Sequence, residues 1–262
     1  MLLAIDIGNT NIKIGVFEKN NLVHSLRLST MQGRTGDEYG LDIISQLATK
    51  GIKKEEITGA IMSSVNPNLN YTLEHACDYF LGIKPIIIGP GVKTGLNIKY
   101  DNPKEVGSDR IVNSVAAYNM YGGPCIVVDC GTATTFNVIN ERGDFLGGCI
   151  GYGLKNAAEA LSNSAAKLPK IELNMPDSVV CKSTITNMQA GLIQGYIGMI
   201  ERIVSLIKEE TGFSEVKVIA TGGIAEIVKK ESDVIDILDR RLTLKGLSII
   251  YNMNAKNMEK QA

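Results

Sequence analysis

The chain is poor in the residues on which several common kinds of site depend. It has only two histidines, His24 and His75, so a histidine-rich metal site or a Ser-His-Asp triad has little material. It also has no excess of positive charge, because 27 Lys and Arg stand against 28 Asp and Glu. A protein that binds the phosphate backbone of nucleic acid normally shows a basic excess. We therefore expect no nucleic-acid partner.

The cysteines do not suggest a disulfide framework. Their number is odd, no two form a C-x-x-C pair, and most lie in apolar runs (Cys77, Cys125, Cys130, Cys149 and Cys181). We expect buried thiols in a reducing compartment, which favours a cytoplasmic protein. The N-terminus shows no basic region followed by a long apolar segment, so no signal peptide is predicted.

Long uninterrupted hydrophobic runs are also missing. The stretch 183–200 carries no charge, but threonine, asparagine and glutamine interrupt it, which favours a buried or subunit-interface helix over a membrane span. We predict no membrane partner. With 44% hydrophobic and 21% charged residues, the composition is that of a soluble globular protein. A length of 262 residues suits one large domain or two of ordinary size.

The chain opens with a strand, a polar turn and a second strand. Apolar residues rich in Ile and Val flank the turn within Leu2–Phe17. Asp6 can hold a hydrated divalent cation, since hard cations take oxygen ligands. Gly8 lets the backbone bend and a ligand approach, and hydrogen bonds to phosphate can come from Asn9, Thr10, Asn11 and Lys13. When a D-x-G-x-T turn of this kind is considered alone, a surface hairpin is the simpler interpretation.

The same pattern returns in the second half of the chain. Cys125–Ile139 is again a strand, a D-x-G turn with hydroxyl residues and a strand, and in both halves a third strand comes next. Asp6 and Asp129 lie nearly half the chain apart. This internal repeat predicts two α/β halves, residues 1–118 and 119–262, each a mixed sheet with helices packed on it. A helix predicted over 244–253 either completes the second half or packs back on the first.

Local patterns place further elements between these. Thr35 to Glu38 has the spacing of a capping box and predicts the start of a helix. Thr221-Gly222-Gly223 is a strand-to-helix turn that can let a nucleotide base or ribose lie against the backbone. Other predicted helices follow Asn66-Pro67 and cover 108–122, 154–168 and 184–210, and other strands cover 22–28, 59–65, 85–88, 216–220 and 234–238.

Several of these motifs together resemble a known family. The turns Asp6–Lys13 and Asp129–Thr135 are similar to the two phosphate motifs of the acetate and sugar kinase/Hsp70/actin superfamily. More specifically, three segments resemble the type III pantothenate kinases. They are Tyr100-Asp101-Asn102-Pro103, Gly107-Ser108-Asp109-Arg110 and Asp129-Cys130-Gly131-Thr132-Ala133-Thr134-Thr135-Phe136. The resemblance covers nearly the whole chain. It implies an α/β fold of two ribonuclease-H-like halves that form an actin-like nucleotide cleft.

The activity that this resemblance implies is transfer of the γ-phosphoryl group of ATP to the primary hydroxyl of pantothenate. The product is 4'-phosphopantothenate, in the first step of coenzyme A biosynthesis. The resemblance also implies Mg²⁺, a monovalent cation (K⁺ or NH₄⁺) and a homodimer. Two alternatives are a kinase for another small hydroxy acid or sugar and a nucleotide-binding regulatory protein of the same fold. An acceptor site would argue against the regulator, since a nucleotide switch does not require one.

Carried over by position, the resemblance also assigns roles to residues. Asp109 would be the base that accepts the hydroxyl proton, and pantothenate would be held by Tyr100, Gly107, Ser108, Asp109, Arg110 and Thr184. Asp6 would position Mg²⁺ through water, and Asp129 would hold the monovalent cation. The nucleotide would contact Asp6, Ile7, Gly8, Asn9, Thr10, Asn11, Ile12, Lys13 and Thr132. Thr184 would act from the partner subunit or within its own chain, and its helix is the candidate dimer interface.

Plainer interpretations of these residues stay open. Asp109-Arg110 can be a helix N-terminal carboxylate with a surface arginine, Lys13 an exposed strand residue, and Thr184 a helix N-cap. If Asp109 is catalytic, the adjacent guanidinium of Arg110 is expected to keep the pKa of its carboxyl low, so that it is ionised at neutral pH. Because phosphoryl transfer passes through a loose transition state, orienting the hydroxyl then matters more than strong basicity.

Overall fold

The computed structural model describes residues 1–258, with side chains described for residues 1–255. The chain divides into two compact units. Unit 1 is Met1–Met120 together with the chain from Arg241 onward, and unit 2 is Tyr121–Arg240. The last helix therefore belongs to unit 1, which was the second of the two placements that the sequence left open.

The elements follow the predicted alternation. The strands are β1 (Leu2–Ile7), β2 (Asn11–Glu18), β3 (Asn21–Ser29), β4 (Gly59–Ser64), β5 (Ile86–Ile87), β6 (Asn97–Ile98), β7 (Cys125–Cys130), β8 (Ala133–Ile139), β9 (Asp144–Tyr152), β10 (Lys217–Thr221) and β11 (Ile237–Leu238). The α-helices are α1 (Gly36–Ala48), α2 (Asn70–Leu81), α3 (Ser108–Tyr121), α4 (Leu154–Ser164), α5 (Thr184–Thr211), α6 (Ala225–Glu231) and α7 (Leu242–Met258). Short 3₁₀ turns lie at Lys54–Glu56, Pro67–Leu69 and Pro103–Glu105.

Unit 1 is built on a mixed sheet in the order β3-β2-β1-β4-β5. Its centre, β1, is antiparallel to β2 and parallel to β4, and all of its residues are buried. Successive side chains of a strand point to opposite faces, so both faces of β1 must be covered. Leu3 and Ile5 pack in the core with α1 and α2, whereas Leu2 and Ala4 pack in the core with α3 and α7.

Unit 2 repeats this plan. Its strands follow the order β9-β8-β7-β10-β11, with β7 antiparallel to β8 and parallel to β10. The central strand β7 packs on α5 and α6 through an alternating set of residues that includes Ile126 and Val128. The strand order and directions match those of unit 1, which confirms the internal repeat and the predicted α/β fold with two mixed sheets.

Some predicted boundaries are confirmed and others are wrong. The capping box is present, with Glu38 N–H donating to the Thr35 side chain and Thr35 N–H donating to the Glu38 carboxylate. Helix α4 ends at Ser164 rather than 168, because Ala165 leaves the helical conformation and its carbonyl accepts from Leu168 in a turn. Strand β11 is shorter than predicted, and α7 begins earlier and ends later.

The expectation of buried cysteines is partly wrong. All five are free, and Cys77, Cys125 and Cys130 are buried, but Cys149 is exposed on β9 and Cys181 is half-buried. Burial raises the pKa of each of the three buried thiols to about 12, so they remain protonated at neutral pH.

Helix α5 is, among the described residues, the one helix long and apolar enough to cross a membrane by length and composition. Its mean hydropathy over the most apolar window is only 1.3. One side of it is buried in the core of unit 2 through residues that include Ile193, Tyr196 and Ile200. A core helix of a folded α/β unit satisfies the same test of length and composition.

Candidate active site

Asp6 lies where three strands of unit 1 meet. The register places Lys13 directly opposite it on β2 and Ser63 directly opposite it on β4. Lys13 Nζ is 3.3 Å from Asp6 Oδ2, and Ser63 Oγ donates a hydrogen bond of 2.9 Å to Asp6 Oδ1. Asp6 is 6% exposed, whereas a third of the Lys13 side chain remains exposed. The ammonium group of Lys13 therefore lies beside the buried carboxylate and still reaches solvent.

The turn between β1 and β2 is held by its own backbone and by the end of β3. Gly8 N–H donates to Asn11 O at 3.0 Å, and Thr30 Oγ1 donates to Gly8 O at 2.8 Å. Because the N–H of Gly8 is used within the turn, that glycine shapes the turn and is not itself the donor for a phosphate. Thr30 follows β3 outside every motif, so sequence reasoning missed its role.

The segment 100–110 leads into α3, and the first residue of this helix contacts the end of β4. Ser108 Oγ donates to Ser64 O at 2.9 Å and accepts from Ser64 N–H at 3.0 Å. Since its single hydroxyl proton goes to Ser64, the role that the structure shows for Ser108 is to attach α3 to β4.

Gly107 makes room for the carboxylate of Asp109. A Cβ at position 107 would lie 2.6 Å from Asp109 Oδ1, a distance that real Cβ atoms do not show. The carbonyl of Gly107 accepts from Ile111 N–H in the first turn of α3, and Asp109 Oδ1 accepts from Arg110 N–H at 2.8 Å. The glycine and the helix start thus fix the position of this carboxylate.

Arg110 is not the surface arginine of the plainer interpretation, because only 6% of it is exposed. Its guanidinium carbon lies 5.9 Å from the centre of the Tyr100 ring, within the range of a cation–π contact. Tyr100, Asp109 and Arg110, predicted as neighbours in one acceptor site, do come together in unit 1.

The pKa of Asp109 differs from the sequence-based expectation. Burial raises the pKa of this carboxyl above its usual range, and the nearby charge of Asp6 raises it further. The hydrogen bond from Arg110 N–H and the charge of Arg110 oppose the shift but do not outweigh it. The expected low pKa is therefore wrong: loss of hydration has a larger effect here than the adjacent guanidinium.

Asp129 occupies in unit 2 the place that Asp6 occupies in unit 1. The register sets it opposite Thr135 on β8 and opposite Thr221 on β10. The turn after β7 closes with Gly131 N–H donating to Ala133 O at 3.1 Å, and Asn156 Nδ2 donates to Thr132 O at 3.0 Å. Asn156, from α4, was not predicted to support this turn.

Gly222 lies against the end of β7. Its φ is +95°, and a Cβ there would lie 2.5 Å from Cys130 O and 2.8 Å from Asp129 Oδ1. Two oxygen atoms thus face the α-carbon of this glycine, and hard cations prefer oxygen ligands. No group of three or more His, Cys, Asp or Glu side chains that could hold a metal occurs in the described part of the chain. Any cation held at Asp129 would take its other oxygen ligands from backbone, hydroxyls, water or phosphate.

A cavity of about 670 Å³ lies beside the next glycine, Gly223. Its walls come from α4, from the segment 170–173 and from the start of α6, and include Lys155, Glu159, Ser162, Ile224 and Ile227. The volume is typical of sites for small molecules. The cavity is thus a candidate location for the base or ribose that Thr221-Gly222-Gly223 is predicted to border.

Thr184 is exposed at the first position of α5. The N-cap is Ser183, whose Oγ accepts from Thr186 N–H at 3.2 Å, so the interpretation of Thr184 as the N-cap is wrong. Tyr196, which contacts the Asp129 turn, lies twelve residues further along the same helix, or about 18 Å at the usual rise per residue. Thr184 is therefore separated along α5 from the residue that contacts the Asp129 turn.

Comparison with protein families assigns the chain to one of them. A family model described as type III pantothenate kinase matches residues 2–206, which include both turns, the segment 100–110 and Thr184. The chain belongs to the type III pantothenate kinase family. Membership of a kinase family supports a phosphotransferase that uses ATP, and the match ends before Thr221-Gly222-Gly223 and α7.

Solved structures show the same fold. A protein from Campylobacter jejuni described as a conserved putative Baf family transcriptional activator is 21% identical, with 97% of this chain and 99% of that chain covered and a TM-score of 0.62. A ROK hexokinase from Thermus thermophilus is 12% identical over 98% and 99% of the two chains, with a TM-score of 0.52. A ROK family glucokinase from Streptomyces griseus is 13% identical over 97% and 99%, with a TM-score of 0.50. At these identities the likeness establishes the actin-like fold of the family and not a substrate.

Proposed function

We propose that this member of the type III pantothenate kinase family transfers the γ-phosphoryl group of ATP to the primary hydroxyl of pantothenate. The observation that carries the proposal lies in unit 1, where the Asp109 carboxyl, the buried Arg110 and the Asp6–Lys13 pair belong to one unit. The charge of Asp6 raises the pKa of Asp109, so the group that would receive a proton lies close to the turn that would receive phosphate. Formation of 4'-phosphopantothenate places the reaction at the first step of coenzyme A biosynthesis.

Asp109 acts in this proposal as the base that accepts the hydroxyl proton of the acceptor. Its raised pKa makes the carboxylate a better proton acceptor than an ordinary aspartate while leaving it able to ionise. Arg110 supplies a fixed positive charge for the carboxylate of pantothenate, and the Tyr100 ring fixes the guanidinium. Gly107 and Ser108 hold the start of α3, so that the hydroxyl meets Asp109 in a defined orientation.

The phosphates of ATP bind in this proposal at the turn 6–13. Lys13 donates to a phosphate oxygen while it remains next to Asp6, and the side chains of Asn9, Thr10 and Asn11 add further donors. Both oxygens of Asp6 already contact protein donors, which fits Mg²⁺ held through water better than direct ligation. When bound, Mg²⁺ neutralises the charge that develops on the phosphates.

Residues of unit 2 are also proposed to bind nucleotide. Thr132 meets a phosphate from the turn that Asn156 supports, and the base lies in the cavity beside Gly223. Asp129, with Cys130 O next to it at Gly222, is suited by its oxygen atoms to K⁺ or NH₄⁺. A monovalent cation held there offsets phosphate charge.

A homodimer formed around the start of α5 is part of the proposal. Val179, Val180 and Ile185 expose 67%, 85% and 49% of their surfaces along the segment that leads into this helix. Such a cluster of exposed apolar side chains supports a protein interface. Thr184 lies within it, which supports its action on pantothenate across the dimer.

The free thiols support a cytoplasmic location.

The test is a coupled assay of ADP formation on the purified full chain with Mg²⁺ and ATP. Pantothenate is compared with glucose and N-acetylmannosamine as acceptors, each with and without K⁺ or NH₄⁺. We expect ADP formation that depends on pantothenate and increases with the monovalent cation. The Asp109→Asn variant, purified in parallel, controls for a contaminating kinase.

Other outcomes would replace the proposal. Turnover with a sugar but not with pantothenate would make the protein a kinase for a different acceptor. Tight binding of ATP with no turnover on any acceptor would favour a nucleotide-binding regulator of the same fold. The second outcome conflicts with the half-buried Asp109 and the buried Arg110, for which a regulator has no use.

A further inference from the structure

The hydroxyl of Tyr196 contacts the two strands that flank the Asp129 turn. Tyr196 lies in α5 and is fully buried. Its Oη is 2.8 Å from Thr134 Oγ1, and the thiol of Cys130 lies next to it. Cys130 is the last residue of β7, and Thr134 comes after Ala133 at the start of β8. One phenol group therefore joins both ends of the turn 131–133.

The direction of these hydrogen bonds is set by the number of protons. Thr134 donates its single hydroxyl proton to Tyr152 O at 2.8 Å, so its oxygen is left to accept the proton of Tyr196. The Cys130 thiol lies beside the same phenol oxygen. The contacts among Cys130, Tyr196, Thr134 and Tyr152 thus connect the turn ends of β7, β8 and β9.

We propose that Tyr196 is a positioning residue for the phosphates of ATP. It holds the two ends of the Asp129 turn at a fixed separation, and Thr132 and Asp129 thereby keep the geometry that nucleotide binding needs. This inference rests on the proposed function, since it assigns Tyr196 to the nucleotide site of that reaction. The residue that it adds, Tyr196, lies 64 positions after Thr132 and does not itself contact the nucleotide.

A role limited to core packing would give a different result. The ring of Tyr196 fills the core of unit 2 with or without its hydroxyl, so Tyr196→Phe keeps the packing and removes only the hydrogen bonds. Thr134→Val removes the partner at the other end of the same bond, and Thr134→Ser keeps the hydroxyl and loses only a methyl group.

The experiment measures the Kd of ADP with Mg²⁺ by calorimetry and the steady-state constants for ATP and pantothenate. For Tyr196→Phe we expect a rise of about fivefold to tenfold in both the Kd of ADP and the KM of ATP, the loss typical of one or two hydrogen bonds. The KM of pantothenate stays within about twofold, and kcat changes less than the KM of ATP. Thr134→Val gives a similar loss, Thr134→Ser restores wild-type binding, and the double variant Tyr196→Phe with Thr134→Val is no weaker than Thr134→Val alone.

Tyr121→Phe is the matched control, because it removes a tyrosine hydroxyl that donates to Asp239 at 2.8 Å elsewhere in unit 2. It is expected to lower thermal stability without changing the Kd of ADP. A wild-type Kd in Tyr196→Phe would overturn the inference and leave the kinase proposal intact, whereas absence of ADP binding by the wild type would overturn both. If Tyr196→Phe does not fold, equal Kd values for Thr134→Val and Thr134→Ser overturn the inference.

Discussion

Units 1 and 2 place an aspartate at the same point of the same strand framework and surround it with side chains of different charge. Asp6 faces Lys13 and Ser63 across the sheet, whereas Asp129 faces Thr135 and Thr221. Directly opposed residues on neighbouring strands are close enough to interact strongly. A lysine in that position partly neutralises the carboxylate and adds a donor for phosphate, whereas a threonine adds only a hydroxyl group. A single difference across the strand pair thus separates the proposed phosphate site from the proposed cation site.

A second difference concerns what lies at the end of the inner parallel strand of each sheet. In unit 1, Ser64 at the end of β4 fixes the start of α3, which carries Asp109 and Arg110. In unit 2, the end of β10 leads through Gly222 and Gly223 to α6 and borders a cavity. The repeat therefore duplicates the strands but not the groups proposed to bind and deprotonate the acceptor. Four substitutions test how far the two units differ, beginning with the one expected to have the largest effect.

Asp109→Asn removes the base proposed for unit 1. We expect kcat to fall by at least ~100-fold with little change in the Kd of ATP, as is usual for loss of a general base. The wild-type rate should fall on the acid side at a higher pH than an ordinary aspartate would give, because burial raises the pKa of Asp109. Nearly full activity in the variant would show that the proton is accepted elsewhere.

The same variant makes a prediction about stability. A carboxyl whose pKa is raised in the folded state stabilises the fold only while it is protonated, so its contribution is lost as pH rises through the raised pKa. Asp109→Asn should therefore have a higher Tm than the wild type at pH 8, and the difference should vanish towards pH 4. Thermal unfolding of both proteins across this range measures it, and a constant difference at all pH values would contradict it.

Lys13→Met tests the charge that distinguishes the Asp6 turn from the Asp129 turn. Methionine keeps the length and apolar stem of lysine but leaves Asp6 without the ammonium group at 3.3 Å. We expect kcat/KM for ATP to fall by roughly 10-fold to 100-fold, since a charge-assisted bond to phosphate is lost. Lys54→Met, in the exposed 3₁₀ turn, is the control and should leave the constants unchanged.

Thr135→Lys converts the Asp129 turn towards the chemistry of the Asp6 turn. The new ammonium group would lie opposite Asp129, where the monovalent cation is proposed to bind. We expect K⁺ no longer to increase the rate (a ratio of about one with and without K⁺), while part of the activity remains. The reason is that the lysine ammonium group replaces the cation. Thr135→Met should keep its dependence on K⁺. Undiminished activation in Thr135→Lys would show that the cation binds elsewhere.

Ser63→Ala removes the hydroxyl that donates to Asp6 at 2.9 Å and should have the smallest effect. We expect the free energy of unfolding to fall by about 1 kcal/mol and kcat/KM to fall by about twofold to fivefold. Denaturant unfolding and the ADP assay measure these changes. Ser25→Ala, on the exposed side of β3, should change neither. A change as large as that of Lys13→Met would mean that Ser63 contacts the nucleotide directly.

The sequence predicted the framework of both units because that framework depends on local patterns. The alternating Ile and Val residues define β1 and β2, the D-x-G turn repeats at Asp129, and the capping box begins α1 at the predicted place. It could not assign α7, because an amphipathic pattern shows which side of a helix is buried but not which sheet covers it. The acceptor residues were found by resemblance and not by their spacing.

The features that the sequence missed depend on contacts between distant parts of the chain. The pKa of Asp109 was predicted in the wrong direction, because adjacency to Arg110 is visible in the sequence and burial is not. The bonds of Thr30 to Gly8 and of Ser64 to Ser108 join residues 22 and 44 positions apart and leave no local signal. The contact of Tyr196 with Thr134 spans 62 positions and is likewise invisible until α5 is packed.

The division of unit 1 along the chain has a consequence for synthesis. Its sheet lies within the first 120 residues, but α7, which covers Leu2, Ala4 and Ile61, is translated only after all of unit 2. Unit 2 is continuous, and the Tyr121–Asp239 hydrogen bond joins its first residue to the residue before its last, as in an inserted domain. On the ribosome, unit 2 can therefore fold before unit 1 is complete, while an apolar face of unit 1 stays uncovered until α7 emerges. A nascent chain at that stage is one that chaperones would recognise.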